Sequence, residues 1–251
     1  MSMCKPLFCK VLFAMLIFST LFVSCSEESK MLDDSVFGYQ YYPLEVGKYW
    51  IYSSDKIVVD DGGATIVESS KFIKEEITER FIDAAGDSIY RLERSESMSQ
   101  SGPFLVSDVW TTSSTVDAAF RTEENLDFIK MIFPISVGTT WEGNLFDELI
   151  YVNVADESVQ VYKDWGDYEC TAKGISIQAG GEMFEDVLTI KQGEFNSDIE
   201  RRYSVVHYAS GIGPIKREMD ILDTQCSCPG ETWLEKAEQG FTLREELVEY
   251  N

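Results

Sequence analysis

His207 is the single histidine of the chain, so a Ser-His-Asp or Cys-His relay has to run through it. It stands in the β-branched run Tyr203–Tyr208, and no GxSxG elbow supplies a nucleophile. We read it as a part-buried strand histidine, with no catalytic residue assigned. With Cys170, Cys226 and Cys228 the same imidazole would make a Cys3His zinc set. Carboxylates are too abundant for pairs such as Glu75-Glu76 or the run DWGDYE at 164–169 to single themselves out. None has the spacing of a calcium-binding EF-hand loop, so they read as solvated faces. Among the five tryptophans, Trp165 and Trp233 lie in polar, loop-like stretches and are the candidate contact aromatics.

Zinc or disulfide is a question of compartment, and the N-terminus bears on it. Lys5 and Lys10 precede an apolar run, Val11 to Val23. That run falls short of the ~20 residues a bilayer span needs and fits the roughly 7–15 residues of a signal-peptide core. Phe22-Val23-Ser24-Cys25 then resembles a bacterial lipobox, with the usual leucine one place early at Leu21. Residues 1–24 are therefore expected to be a lipoprotein-type signal peptide, and Cys25 the lipidated residue. Ser26, Glu27 and Glu28 after it point to outer-membrane sorting and display at the cell surface, with a periplasm-facing anchor as the alternative.

Removing residues 1–24 takes away Lys5 and Lys10 and no acid, so the formal charge moves from −23 to −25. Such a chain is repelled by phosphate backbones, which excludes nucleic acid as a partner. Anionic membrane surfaces repel it too, so the lipid on Cys25 has to hold it at the membrane. In an oxidising compartment Cys170, Cys226 and Cys228 make one disulfide and one thiol. Cys170 with either member of the C-S-C step is the preferred pair, because a bridge across two residues is strained. No metal and no cofactor is expected.

These residues need a scaffold, and the pattern along the chain describes one. Residues 25–38 are polar and acidic and read as a flexible tether; a β domain follows at 39–251. Turn signals punctuate β-branched and aromatic runs: DDGG at 60–63, AAGD at 84–87, QAGGE at 178–182 and SGIGP at 210–214. The fold class expected is all-β, mainly antiparallel: one curved sheet, a half-barrel or a sandwich-like body. Residues 69–84 stay open, because Ile73, Ile77 and Phe81 have helical spacing between strand neighbours; strand is preferred. PLEVGKYW at 43–50 returns as PISVGTTW at 134–141, in the frame P-[LI]-x-V-G-x-x-W. Proline sets an extended approach, glycine a positive-φ turn, and tryptophan a core plug. The echo suggests two related halves, 39–130 and 131–251.

YYPLEVGKYWIY, FPISVGTTWEGN, AGGEMFEDVLTI and HYASGIGPIKRE together resemble a group of uncharacterised Bacteroidetes lipoproteins, from about Tyr41 to the C-terminus. The resemblance implies a secreted β protein of unknown function, with residues 223–239 as a loop insertion. Asp34-Ser35-Val36 and Asp87-Ser88-Ile89 resemble an O-glycosylation tripeptide of the same bacteria. The expectation is a lipid-anchored outer-membrane lipoprotein that binds a protein or glycan or takes part in envelope assembly. The alternatives are an envelope hydrolase with an unrecognised carboxylate site and a carrier of an apolar ligand.

Overall fold

The segment with helical spacing is a strand, and the reason lies in one residue. The computed structural model describes residues 36–146, 150–154 and 157–251; the signal peptide, Cys25 and most of the tether lie outside them. In β2 (Thr65–Ile82), Ile73, Glu75 and Ile77 are 0%, 3% and 0% exposed. They alternate with outward residues as a strand requires. A buried charge at the middle inward position makes a period of two look like a period of four.

The other strands follow the turn signals. β1 (Tyr49–Asp60) turns at Asp61–Gly63 into β2, and Ala84–Asp87 leads into β3 (Ser88–Ser97). β4 (Leu105–Ser114), β5 (Ala118–Glu123), β6 (Leu126–Ile132) and the short β7 (Thr140–Trp141) come next. A hairpin of β8 (Tyr151–Val154) and β9 (Glu157–Gln160) precedes β10 (Tyr168–Ala179). β11 (Glu182–Asn196), β12 (Glu200–Ala209), β13 (Gly213–Asp223) and β14 (Gln239–Tyr250) complete the chain. The link from β13 to β14 carries the short helix α1 (Trp233–Lys236), closed by a capping box between Thr232 and Glu235.

Twelve of these strands form one antiparallel sheet in the order β6-β5-β4-β3-β2-β1-β14-β13-β12-β11-β10-β7. It is barrel-shaped and nearly closed rather than a sandwich, and residues 34–251 form one unit. The seam is bridged by backbone: Ile129 N–H donates to Gly143 O and Leu145 N–H to Asp127 O, both at 2.9 Å. Gly143 fits there because a Cβ would run into the Tyr168 ring.

The repeated frame builds the same turn twice. Gly47 and Gly138 have φ of 92° and 86°, a region other residues rarely adopt. Gly47 N–H donates to Ile77 O and Ile77 N–H returns to Lys48 O; Gly138 and Thr139 exchange the same pair with Cys170. Trp50 Nε1–H then donates to Ile212 O at 2.7 Å, and Trp141 Nε1–H to Ile129 O at 2.9 Å. Each frame starts a run of strands whose first member pairs with the end of the other run: β1 with β14, and residues 143–145 with β6.

Candidate functional site

The inner face carries charge at its centre. Lys130 (β6) meets Glu123 (β5) at 2.9 Å, and Glu123 meets Arg121 Nε at 3.2 Å. Arg121 Nη2 reaches Glu75 (β2) at 2.7 Å, and Glu75 meets Arg94 (β3) at 2.6 Å. Arg94 forks to Glu245 (β14) at 2.7 Å, and Glu245 ends the series at Arg217 (β13), 3.4 Å away. Seven side chains from six strands thus alternate in sign, four cations holding three carboxylates. The Trp110 ring lies 5.1 Å from the Arg94 guanidinium and 4.7 Å from that of Arg121, close enough for cation–π attraction.

Their ionisation follows from this order. Burial pushes the Glu75 carboxyl up, but Arg121, Arg94 and Arg217 more than reverse it, leaving it below the ordinary value. Burial is likewise outweighed at Glu123 by Lys130 and Arg121, and at Glu245 by Arg94 and Arg217. Lys130 is lowered to about 8, by burial first, with Arg217 and Arg121 adding to it against Glu123. All three carboxylates are therefore charged and committed near neutrality. None is left as a proton donor.

Voids beside this network, lined by Arg121 and Glu75, measure about 20 and 10 Å³. They have room for about one water. A roomier space lies at the mouth, where a cleft of about 330 Å³ opens between the barrel wall and the chain after β9; an exposed hollow of about 380 Å³ beside Met98 and Pro103 lacks its aromatic wall. Val161, Tyr162, Met219, Phe241 and Leu243 make its apolar side. Lys56, Lys71 and Arg94, on adjacent strands β1, β2 and β3, make a cationic side. Asp108 and Glu124 stand at the rim, where burial and a hydrogen bond with Asp108 raise the Glu124 carboxyl. A cleft of this size and mixed lining suits a small amphipathic molecule.

The structure redistributes the residues singled out in the sequence. Cys226 is bonded to Cys228, and Cys170 is a buried free thiol in the main apolar cluster, which corrects the expected Cys170 bridge. Trp165 is 5% exposed and edge-on to Tyr162, so it is core and not a contact residue. Trp233 opens α1, bonds Asn196 and packs toward Val59 and Leu222, with Lys236 over its ring. The structure brings none of these five to the mouth. His207 lies on β12 with Nδ1 2.9 Å from Thr189 Oγ1, and burial lowers its pKa. Among the described residues no group of three or more His, Cys, Asp or Glu could hold a metal ion. Arg94, Arg121 and Lys56 were missed, and Glu75, read as part of a solvated face, is 3% exposed and paired with Arg94 and Arg121; the available signal was a charge at an inward position of an alternating strand.

No family model matches the chain, and no curated protein matches it. Two solved structures are similar to it. One is a Bacteroides fragilis protein described as exported, with a YmcC-like fold. It is 9% identical, with 83% of this chain and 97% of that one covered and a TM-score of 0.36. The other, described as a lipoprotein of Parabacteroides distasonis, is 9% identical over 84% and 98%, with a TM-score of 0.34.

Proposed function

We propose that this chain is a lipid-anchored binding protein of the bacterial outer membrane that takes a small amphipathic ligand into the mouth of its barrel. The observation that carries this reading is the cleft of about 330 Å³ with an apolar wall facing a cationic one. The anchor rests on the apolar run that ends at Cys25 and on the hydrated Ser26–Lys30 after it. In this reading Cys25 carries palmitate and Glu27-Glu28 send the protein to the cell surface. Partners made of protein or glycan then meet the outer wall.

Cys25→Ser is expected to move the protein from the membrane fraction to the soluble envelope fraction and to abolish labelling by radioactive palmitate. Retained label would overturn the anchor. For the cleft, the full chain carrying Cys25→Ser is titrated with the neutral fluorophore N-phenyl-1-naphthylamine. Saturable binding is expected, weakened at least tenfold by Met219→Trp, which fills the apolar side. Binding that ignores Met219→Trp would place the probe elsewhere.

An envelope hydrolase is the second reading, and the raised Glu124 carboxyl beside Asp108 is the observation in its favour. Glu245, the other carboxylate that lines the cleft, is held charged by Arg94 and Arg217 and is committed to them, so it is not free to act as the second catalytic group. The binding reading therefore fits the mouth better.

A further inference from the structure

We propose that the ligand of the mouth carries an anionic head group, a carboxylate or phosphate, and that Lys56 holds it. The inference rests on the mouth being the binding site and names the chemistry that the site selects. Lys56 projects from the inner face of β1 and is partly buried, with its ammonium 4.8 Å from the Phe241 ring centroid. Among the described residues no carboxylate lies within ion-pair distance of it, although the chain holds 44 acids. The other cations on that side are committed: Lys71 to Glu96 at 2.5 Å, and Arg94 to Glu75 and Glu245.

An ammonium that has lost hydration without gaining an anion is a site waiting for one. Lys71 lies diagonally across the β1–β2 ladder, where Ser54 faces Lys71 and Lys56 faces Ser69, and it adds to the positive potential. Burial and this neighbour both depress the Lys56 pKa, and a bound anion would reverse that. The acids that share the cleft compete weakly. Glu245 is held by Arg94 and Arg217, and Glu124 and Asp108 share a hydrogen bond. A head group at Lys56 leaves the ligand's apolar body against Met219, Leu243 and Tyr162.

The test uses the full chain carrying Cys25→Ser and calorimetric titration with decanoate, decyl phosphate and decanol at neutral pH. Either anion is expected to bind at least tenfold tighter than decanol, and the tighter of the two identifies the head group. Lys56→Met keeps the stem and should erase the tenfold advantage of the anions over decanol. Lys56→Arg should restore it, which guards against a folding defect in the methionine variant. Decanol binding as tightly as both anions, or an advantage that survives Lys56→Met, would overturn the head-group inference and leave the cleft reading standing. If neither decanol nor N-phenyl-1-naphthylamine binds, both fall.

Discussion

Replacing Glu75 with alanine is expected to cost the fold about 3–5 kcal/mol, the usual penalty for breaking a buried ion pair. Glu75 is 3% exposed and its two oxygens serve different guanidiniums, Arg94 at 2.6 Å and Arg121 at 2.7 Å. Removing it leaves two buried cations facing each other across the Trp110 ring. Glu76, next in sequence, points outward and pairs with Lys74 at a part-exposed site. Its alanine variant should change stability by about 0.5 kcal/mol or less, as surface pairs do. Urea unfolding of the two variants makes the comparison. A Glu75 loss no larger than the Glu76 loss would mean that the network adds nothing to stability.

The same network sets an acid limit. The carboxyls of Glu75, Glu123 and Glu245 titrate below the ordinary carboxylate value when folded, and near about 4.3 when unfolded. As pH falls through that value the unfolded chain takes up protons that the folded chain refuses, so stability falls. The contribution of these groups is whole above about pH 5 and is lost progressively below it.

The second large effect is expected at the seam. Trp141→Ala should destabilise by about 3–5 kcal/mol through the lost aromatic volume, with about 1 kcal/mol more for its hydrogen bond. Trp141 is 7% exposed, packs on Tyr168 at 6.0 Å and donates to Ile129 O on β6. It thereby ties one edge of the sheet to the other. Phenylalanine keeps much of the volume and loses the donor, so Trp141→Phe should fall between wild type and alanine. Faster amide exchange at Ile129 and Leu145 in the alanine variant would trace the loss to the seam; unchanged exchange there would count against it.

The sheet was legible where chemistry is local. Glycine-bearing turns at 60–63, 84–87, 178–182 and 210–214 each separate two strands, because a positive-φ residue has few other uses. Closure was not legible, since the bonds between 127–129 and 143–145 are made by backbone, which every sequence possesses. The interior charges were hidden by the rule that acids face water. Glu75 breaks that rule only because Arg94 and Arg121 arrive from other strands, at distances no local pattern encodes. Trp165 misled for the opposite reason. Its neighbours Asp164, Gly166 and Asp167 are polar, yet its ring turns inward against Gly193, where a missing side chain leaves the space.

The pairing of the first strand with the last bears on mechanics. Tyr49 N–H donates to the Asn251 side chain, and Asn251 Nδ2–H donates to Gly47 O, so the chain's end is stitched beside its point of arrival in the barrel. Tension entering at Val36 is met first by the docked segment 37–48, tied to the barrel through Phe37, Gln40 and Gly47 and by the buried Tyr41 and Tyr42, and beyond it pulls along the length of β1. From Trp50 to Val59 that strand is paired with β14 on one side and β2 on the other. A pull resisted at the mouth loads those rungs together in shear, whereas a pull on Asn251 at the same end would peel them one at a time. Under the proposed anchor and mouth ligand, the load would therefore run along the strand's most resistant direction.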